Sequence, residues 1–430
     1  MSEPLLGWVG DDLTGSVDCM EALDLAGVAA ALFLAPPTDG DLAAVAHARA
    51  LGIATQTREQ DPETIRATVT PAVARLARLG APLIHYKVCS TFDSAPGVGS
   101  IGAAIDAAQE VLEAEWVPLL VAAPRLGRHQ AFGNLFARSG WDEPPTRLDR
   151  HPTMRTHPVT PMDEADLRLH LARQTARTIA LLDVLAVESA EPAEALAAAR
   201  AQGEIVLLDC VVERHLPVLG ALIAPARLVV GSAGVEHALT AHWHAAGVIP
   251  AAPAPRPAPP AERVLAVAGS CSPVSRRQIA AAEQAGVPTI RLRLDGDGVE
   301  EAAGAAIAAL AAGRSALVHT QPADGEPQAR LPGPRIGAAL GDVAGRVLSE
   351  TRADRLVVAG GDTSGQVLRR LGVRVLEPAY AFQPTTPLCR AHTADGDLGA
   401  QVIFKGGQMG SADFFLAAQR GSASDERTRG

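Results

Sequence analysis

Residues 356–367 read LVVAGGDTSGQV, which predicts a buried strand, a glycine-rich turn and then a helix that begins near Gln366. Gly360 and Gly361 allow positive φ angles and let a ligand approach the backbone closely. The residues after them are of types that cap helices: Asp362, Thr363 and Ser364. Because free N–H groups at a helix N-terminus attract anions, the segment fits a phosphate site as well as an ordinary strand–helix turn.

Strand-like and helix-like segments alternate along the whole chain, which predicts parallel sheets covered by helices on both faces. Residues 250–262 read PAAPAPRPAPPAE, a composition that favours an extended linker. We therefore expect an α/β fold of two domains, each a mainly parallel sheet flanked by helices, with the active site in the interdomain cleft. The expected boundaries are an N-terminal domain at 1–249, the linker at 250–262, a C-terminal domain at 263–420 and a disordered tail at 421–430.

Composition and charge restrict the class of partner. The net charge of −10 argues against nonspecific binding to nucleic acid or to anionic membranes. The five cysteines are scattered and form no CxxC pair, which fits reduced thiols better than disulfides. No apolar run reaches the length of a membrane span, and acidic residues precede any signal-peptide core. These features predict a soluble cytoplasmic protein with no nucleic-acid or membrane partner.

Two further glycine-bearing turns follow predicted strands beyond the linker, GSCSP from residue 269 and KGGQMG from residue 405. The groups in these turns that could bind phosphate are hydroxyls and backbone N–H groups of Ser270, Ser272, Gly406 and Gly407. A plain loop would explain either turn alone. Together with the turn at 360–364, however, they would occupy equivalent strand ends of one sheet, which predicts a nucleotide site. No GxxxxGK[ST] motif is present, so the chain is not a P-loop protein.

The N-terminal half begins with a predicted strand followed by GDDLTG, which contains Asp11, Asp12 and Thr14. Two adjacent carboxylates repel each other and are poor phosphate ligands, but they suit sugar hydroxyls, a metal ion or proton abstraction from an alcohol. In the alternative interpretation, one aspartate caps the helix that begins near Ser16 and the other is solvated.

A second group of polar residues follows the predicted strand at 83–86, namely Lys87, Ser90 and Thr91. A cation with two hydroxyls at a strand end is suited to a carboxylate substrate. The alternative is that Lys87 is an ordinary surface lysine. Farther along, Arg150 and His151 lie in a proline-rich loop, and we expect them to close over an anion.

Taken together, these motifs resemble the four-carbon acid sugar kinase family over nearly the whole chain. The resemblance rests on DDxTG at 11–15, GSxSPxxxxQ at 269–278 and GGDTSG at 360–365, in that order. Three further segments also resemble the family: HPVTPM at 157–162, GSAG at 231–234 and PLCR at 387–390. The resemblance implies an N-terminal domain that binds the acid sugar and a C-terminal domain that binds ATP.

The segment after Lys87 departs from the DSTLRGN sequence of many family members. Residues 89–102 read CSTFDSAPGVGSIG, with Phe92 and Asp93 where leucine and arginine would stand. This variant resembles the branch that acts on 3-oxo-isoapionate, and it implies phosphorylation to 3-oxo-isoapionate 4-phosphate. Activity as a 3-oxo-tetronate, D-threonate or D-erythronate kinase remains an open alternative.

The resemblance also implies ATP and Mg²⁺ in the C-terminal domain, with catalysis mostly by positioning and charge neutralisation. Asp12 is the first candidate for the catalytic base, and Asp362 is the rival because it lies beside the expected γ-phosphate. The sequence identifies no metal ligands, and it is compatible with a homodimer.

Two other classes of function compete with a kinase. A non-catalytic sugar-acid sensor would keep Asp11, Asp12 and Lys87 but would not need three glycine turns in its second half. A nucleotide-dependent dehydrogenase is disfavoured because we expect no GxGxxG motif in the chain.

Overall fold

The computed structural model describes residues 3–140, 143–321 and 333–421, apart from the side chains of Pro334 and Asp362. The predicted tail at 421–430 therefore lies outside the described residues, except for Gly421. The chain divides into two compact units. The N-terminal unit comprises Met1–Pro37 and Val45–Pro253, and the C-terminal unit comprises Thr38–Ala44 and Ala254–Gly430.

The strands, in chain order, are β1 (Leu6–Gly10), β2 (Ala30–Phe33), β3 (Ala50–Ala54), β4 (Ile84–Lys87), β5 (Val117–Leu120), β6 (Arg128–Ala131), β7 (Asn134–Ala137), β8 (Thr146–Arg147), β9 (Ile179–Leu182), β10 (Ile205–Leu208), β11 (Leu228–Gly231), β12 (Val264–Ala268), β13 (Thr289–Arg291), β14 (Ala316–His319), β15 (Arg355–Ala359), β16 (Val373–Gln383), β17 (Thr386–Thr393), β18 (Gly396–Asp397) and β19 (Gln401–Lys405).

The helices are α1 (Leu13–Leu25), α2 (Asp39–Ala44), α3 (Pro62–Arg78), α4 (Ile101–Leu112), α5 (Leu167–Leu171), α6 (Val184–Val187), α7 (Pro192–Arg200), α8 (Leu216–Ile223), α9 (Gly234–Ala245), α10 (Pro273–Gln284), α11 (Gly298–Ala311), α12 (Gly333–Glu350), α13 (Gly361–Arg370) and α14 (Phe414–Arg420). No helix among the described residues is both long and apolar enough to cross a membrane.

Each unit is built around one sheet. In the N-terminal unit the strand order is β2-β3-β1-β4-β11-β5-β10-β9, and every neighbouring pair is parallel. In the C-terminal unit β13-β14-β12-β15-β19 are parallel, and β17 and β16 continue the sheet as antiparallel strands. The central strands are buried along their whole length, as parallel strands covered on both faces require. The predicted α/β class with two mainly parallel sheets is confirmed.

Several strands were not predicted from the sequence, and those of two kinds bear on the site. Strand β3 reads ALGIA, and its small residues give little of the β-branched signal by which buried strands are recognised. Strands β6, β7 and β8 form a separate antiparallel sheet, and each has four residues or fewer. Both omissions matter, because residues next to β3 and in β6 belong to the site described below.

One expectation about glycine motifs was wrong. Residues 97–102 read GVGSIG and do have the GxGxxG spacing. However, β4 ends at Lys87, so these glycines do not form the tight strand–helix turn that binds a dinucleotide. Gly99 instead has a φ of +60°, and a Cβ there would lie 2.2 Å from the Arg58 carbonyl oxygen. The motif allows two backbone segments to pack closely.

The proline- and alanine-rich segment at 250–262 packs against the C-terminal unit in its second half. Ala258 is buried, and its N–H donates to the Ala381 carbonyl oxygen at 3.1 Å. The Pro259 carbonyl oxygen accepts a hydrogen bond from Arg355 Nη2 at 2.9 Å. Arg355 is itself 1% exposed, so this contact lies in the interior of the unit.

Candidate active site

The carboxyl ends of β1 and β4 lie side by side in the N-terminal unit. Gly10 is the register partner of Lys87, and the Asp11 N–H donates to the Lys87 carbonyl oxygen at 3.0 Å. The predicted aspartate turn and the predicted lysine turn are therefore neighbours. Their position agrees with the rule that ligands of parallel sheets bind beyond the carboxyl ends of the strands.

Asp12 is the N-cap residue of α1. Its Oδ1 atom accepts hydrogen bonds from the Gly15 N–H at 2.8 Å and from Arg58 Nη2 at 2.9 Å. The side chain is 26% exposed, and Oδ2 makes no hydrogen bond with the described residues. One carboxylate oxygen thus holds the helix and the arginine, while the other remains available to a ligand.

Asp11 is buried and forms a bidentate ion pair with Arg58. Nε lies 3.1 Å from Oδ2, and Nη2 lies 2.8 Å from Oδ1. Burial raises the pKa of Asp11, Arg58 opposes that rise, and the charge of Asp12 adds a smaller increase. The alternative interpretation, in which Asp12 caps the helix and the other aspartate is solvated, is therefore wrong for Asp11. Burial raises the Asp11 pKa more than repulsion by Asp12 does.

Arg58 was missed at the sequence level. It follows β3 by a few residues, and β3 itself was not predicted, so no signal placed a cation beside the two aspartates. A guanidinium that bridges both carboxylates explains how two adjacent acids are tolerated at this strand end.

Lys87 is 3% exposed, which excludes the surface-lysine interpretation. A Cβ added to Gly15 would lie 2.7 Å from Lys87 Nζ and 2.7 Å from Asp12 Oδ1, so the ammonium lies over the bare backbone of α1. Nζ makes no hydrogen bond with the described residues. Burial lowers the Lys87 pKa, but nearby groups, first Cys19 and then Asp18 and Asp11, outweigh it, and the net direction is upward. The lysine is therefore charged.

Asp18 is a second residue of the site that sequence reasoning missed. It lies in α1 near Lys87, and its Oδ1 atom is buried with no hydrogen-bond partner among the described residues. Burial raises the pKa of Asp18 to about 7, although the charge of Lys87 opposes the rise. Asp18 is therefore an acid that titrates near neutral pH within the charged group around Lys87.

Buried Cys19, His85 and Glu236 lie close enough together to be considered as metal ligands. His85 Nε2 lies 3.1 Å from the Gly231 carbonyl oxygen, to which it can only donate, and Nδ1 lies 2.5 Å from Glu236 Oε1. Both ring nitrogens are thus engaged within the protein. The short His85–Glu236 contact and the bond to Gly231 explain the cluster without a metal ion.

The segment after β4 folds tightly. The Thr91 hydroxyl donates to Asp93 Oδ1 at 2.6 Å, and Cys89 Sγ lies 3.0 Å from Thr91 Oγ1. Phe92 has a φ of +55° and is fully buried. Positive φ is uncommon for a bulky residue and is concentrated at functional sites. The Thr91 hydroxyl donates to Asp93, so it is not a free donor for a ligand.

Ser90 contacts a residue that the sequence analysis did not single out. Arg128, at the start of β6, donates from Nε to Ser90 Oγ at 3.3 Å. The small antiparallel sheet is thereby linked to the strand end that carries Lys87.

The remaining predicted sugar-binding residues have other surroundings. His151 is buried, and its Nδ1 accepts from the N–H groups of Thr153 and Met154, each at 3.3 Å. This contact orders the turn locally. Arg150 is exposed, and Thr14 lies half-buried in the first turn of α1. The described hydrogen bonds do not connect Arg150 or His151 to Asp11, Asp12 or Lys87.

The three glycine turns of the C-terminal unit lie at neighbouring strand ends. Strands β12, β15 and β19 are consecutive and parallel. The Gly269 N–H donates to the Ala359 carbonyl oxygen at 3.0 Å, and the Gly360 N–H donates to the Lys405 carbonyl oxygen at 2.9 Å. The turns that contain Ser270, Gly360 and Gly406 are therefore close together, as their equivalent positions predicted.

Ser270 and Ser272, in the first of these turns (residues 269–273), contact neighbouring backbone and the third turn (residues 405–410). Ser272 is the N-cap residue of α10 and accepts from the Ser275 N–H at 3.0 Å. Its hydroxyl also donates to the Gly407 carbonyl oxygen. A Cβ at Gly407 would lie 2.5 Å from Ser270 Oγ, so the first and third turns are in direct contact.

Gln278 fixes the third turn from the opposite side. Its side-chain amide nitrogen lies within hydrogen-bond distance of the carbonyl oxygens of Met409, Gly410 and Ser411, at 3.1, 3.2 and 2.8 Å. The glutamine of the GSxSPxxxxQ motif is thus a structural residue that shapes a loop far away in the sequence.

Helix α13 begins at Gly361, five residues earlier than predicted. Gly360 has the positive φ, +128°, and none of the described side chains caps the helix. Ser364 Oγ donates back to the Gly360 carbonyl oxygen at 2.7 Å, and Thr363 is buried. The predicted capping residues are therefore inside the helix, and the described side chains leave backbone N–H groups of its first turn uncapped. The side chain of Asp362 lies outside the described residues.

Lys405, which precedes the third turn, is fully buried. Nζ donates to Ser275 Oγ at 3.2 Å and to the Gly406 carbonyl oxygen at 3.0 Å. Burial lowers the pKa of Lys405 to about 8. Through these two hydrogen bonds Lys405 stabilises the third turn.

Known protein families and relatives match the chain over most of its length. The family described as a sugar-binding N-terminal domain matches residues 6–239, and a nucleotide-binding C-terminal domain matches residues 265–415. A 3-oxo-isoapionate kinase of Paraburkholderia graminis is 43% identical, with 97% of this chain and 94% of that protein covered. A 3-oxo-tetronate kinase of Methylobacterium radiotolerans is 34% identical, with coverages of 95% and 97%.

Solved structures show the same fold. A Salmonella typhimurium protein superposes with a TM-score of 0.81 at 24% identity, covering 96% of this chain and 98% of its own. A Haemophilus influenzae protein has a TM-score of 0.76 at 23% identity, with coverages of 96% and 99%. Since both domain families match and named kinases align over nearly the whole length, this chain belongs to the four-carbon acid sugar kinase family.

Proposed function

We propose that this chain transfers the γ-phosphoryl group of ATP to a hydroxyl of a small sugar acid, and that the acid is 3-oxo-isoapionate, converted to its 4-phosphate. The choice of substrate is supported by the 43% identity to the 3-oxo-isoapionate kinase over 97% of the chain. Three 3-oxo-tetronate kinases align at lower identities of 31%, 32% and 34%, so 3-oxo-tetronate is the second candidate.

The observation that carries a sugar-acid site is the buried ammonium of Lys87. It makes no hydrogen bond with the described residues, yet it lies beside Asp12 and above Gly15. A buried, charged donor with unused hydrogen bonds is costly unless a ligand supplies acceptors. Hydroxyl, keto or carboxylate oxygens of a sugar acid would meet that need.

The proposed roles in the N-terminal unit follow from the contacts. Arg58 holds Asp11 and Asp12 in place, and Oδ2 of Asp12 would accept a hydrogen bond from the substrate hydroxyl and then its proton. Lys87 would bind another oxygen of the substrate. Asp362 remains the rival base.

The proposed nucleotide site is in the C-terminal unit. Backbone N–H groups at the start of α13 would bind phosphate oxygens, because none of the described side chains caps that helix. The turns with Ser270, Ser272, Gly406 and Gly407 adjoin it and would shape the rest of the site. The proposal includes Mg²⁺ bound with ATP, and we assign it no protein ligand.

ADP release measured with ATP, Mg²⁺ and a panel of sugar acids tests the proposal. The panel contains 3-oxo-isoapionate, 3-oxo-tetronate, D-threonate and D-erythronate. We expect kcat/KM for 3-oxo-isoapionate to exceed the others by at least about tenfold, which corresponds to 1.4 kcal/mol of transition-state binding. Higher kcat/KM for 3-oxo-tetronate would change the substrate, and sugar-acid binding without ADP release would favour the sensor.

A further inference from the structure

We propose that Arg128 and Ser90 form the subsite that binds the carboxylate group of the sugar acid. The inference rests on the proposed function and refines it, because the sequence alone had assigned the carboxylate to Lys87. Two observations support it. Hydrogen bonds fix the Arg128 guanidinium on one side, and no acidic group among the described residues pairs with it.

Arg128 is held along one side only. Its Nη1 atom donates to the carbonyl oxygens of Leu126, Gly127 and Arg138 at 3.1, 3.4 and 3.1 Å. Nε makes a long contact of 3.3 Å to Ser90 Oγ, and Nη2 makes no hydrogen bond with the described residues. The Nε and Nη2 atoms form the edge of a guanidinium that binds a carboxylate through two parallel hydrogen bonds.

The backbone of Arg128 fixes the direction of that edge. The Arg128 N–H donates to the Ala123 carbonyl oxygen at 3.1 Å, and the Ala123 N–H donates to the Arg128 carbonyl oxygen at 3.0 Å. Arg128 also pairs with Ala137 across the β6–β7 hairpin. A guanidinium with an anchored backbone and an anchored Nη1 loses little entropy when it binds a ligand.

Arg128 has no acidic partner among the described residues. Burial lowers its pKa, and its neighbouring hydrogen-bond acceptors are all uncharged carbonyl or hydroxyl oxygens. A half-buried cation without a counter-ion is costly, and an anionic ligand would offset that cost.

The surroundings of Lys87 are different. Asp11, Asp12 and Asp18 all lie near its ammonium, and Arg58 pairs with the first two of them. With acids already balancing the cations there, a carboxylate gains less by binding at Lys87 than at Arg128. We therefore assign the carboxylate to Arg128 and a hydroxyl or keto oxygen to Lys87.

Ser90 joins the two parts of the site. It follows Lys87 by three residues, and its hydroxyl is the group that faces Arg128 Nε. When a carboxylate binds the Nε–Nη2 edge, the Ser90 hydroxyl can donate a third hydrogen bond to it.

The test compares 3-oxo-isoapionate with its uncharged carboxamide by calorimetry, in wild type and in Arg128→Gln. We expect wild type to bind the acid about 10–100-fold more tightly than the amide, as for a charge-assisted pair, and Arg128→Gln to lose most of that preference. Ser90→Ala should reduce the preference by several-fold. KM for ATP should stay at the wild-type value.

Arg147→Gln is the matched control, because Arg147 lies in the same small sheet but pairs with Asp149 through Nε–Oδ1 and Nη2–Oδ2 contacts of 2.7 and 2.6 Å. It should keep the full preference for the acid. If Arg128→Gln does not fold, Arg128→Lys decides: it keeps the charge but cannot bind through two parallel hydrogen bonds, and the preference should fall.

Three outcomes distinguish failure of the carboxylate subsite from failure of the proposed kinase function. An active wild type whose Arg128 variants keep the full preference for the acid overturns the subsite alone. Loss of the preference in Lys87→Met but not in Arg128→Gln returns the carboxylate to Lys87. A wild type that neither binds the sugar acid nor releases ADP overturns the proposed function itself.

Discussion

Asp12 makes two structural contacts before any substrate binds. Its Oδ1 atom caps α1 and also accepts a hydrogen bond from Arg58 Nη2. The sequence raised capping and catalysis as alternatives. The geometry makes them compatible, since both contacts fall on Oδ1 and Oδ2 makes no hydrogen bond with the described residues. A base that is held by a helix and by an arginine is also one whose position is fixed.

We predict that Asp12→Asn lowers kcat about 10²–10⁴-fold, the usual contribution of general-base catalysis, with KM for ATP nearly unchanged. Asparagine is as good an N-cap as aspartate, so the protein should fold. Asp61→Asn is the control, since Asp61 caps α3 by accepting from the Thr64 N–H at 2.9 Å outside the site. A nearly active Asp12→Asn together with an inactive, ATP-binding Asp362→Asn would assign the base to Asp362.

Asp18 gives a pH dependence of stability. Its pKa is about 7 in the folded protein and 3.8 in the unfolded chain, so the folded state binds more protons between these values. Folded wild type should therefore lose stability relative to Asp18→Asn as pH rises from 4 to 7. Above pH 7 the variant should be the more stable by on the order of 2–4 kcal/mol.

Urea unfolding of wild type and Asp18→Asn at pH 4.5 and pH 8 measures this difference. The two proteins should have similar midpoints at the lower pH and different midpoints at the higher one. Equal urea midpoints at both pH values would mean that ionisation of Asp18 does not destabilise the folded protein, which would contradict the raised pKa.

At the level of single residues, the sequence predicted those at strand ends and missed those that reach the site from elsewhere. Asp11, Asp12 and Lys87 follow strands that the hydrophobic pattern identified. Arg58 follows the unrecognised β3, and Arg128 begins a hairpin outside the main sheet. Their positions depend on how distant segments pack, which a single sequence does not show.

Helix α1 brings its backbone unusually close to the charged groups of the site. Gly15 has no side chain, and this absence makes room for Lys87 Nζ and Asp12 Oδ1. Alanine in a helix is more stable than glycine by about 0.8–1 kcal/mol, so glycine at this position has a local cost that the site explains.

We predict that Gly15→Ala raises KM for the sugar acid at least about tenfold, a loss of 1.4 kcal/mol in binding, because the new Cβ displaces Lys87 or Asp12. KM for ATP should not change. Gly304→Ala in α11 is the matched control, since a Cβ there meets nothing within 4 Å. Steady-state kinetics of both variants measure the effect, and equal KM values for the sugar acid would show that Gly15 is needed only for folding.

At the level of elements, the alternation of strands and helices was enough to predict the sheet class and three adjacent glycine turns. The boundaries were less accurate. The capping types of residues 362–364 suggested a helix start near 366, whereas α13 begins at Gly361, because the bend is made by Gly360 with its positive φ. The antiparallel extension by β16 and β17 was not predicted, since it depends on pairing with β19.

For the whole molecule, the family and the order of its two domains followed from motifs read in sequence. The division into two compact units and the matched family domains support assigning one substrate to each. This assignment is the central claim: the sugar acid binds at the end of β1 and β4, and ATP binds where β12, β15 and β19 end.

The most direct test measures KM for both substrates in two variants, Lys87→Met and Gly361→Val. Lys87→Met removes the buried ammonium and should raise KM for the sugar acid about 10–100-fold with little change for ATP. Gly361→Val places a branched side chain at the first residue of α13 and should raise KM for ATP with little change for the sugar acid. Parallel changes in both KM values in either variant, or an exchange of the two effects, would contradict the assignment.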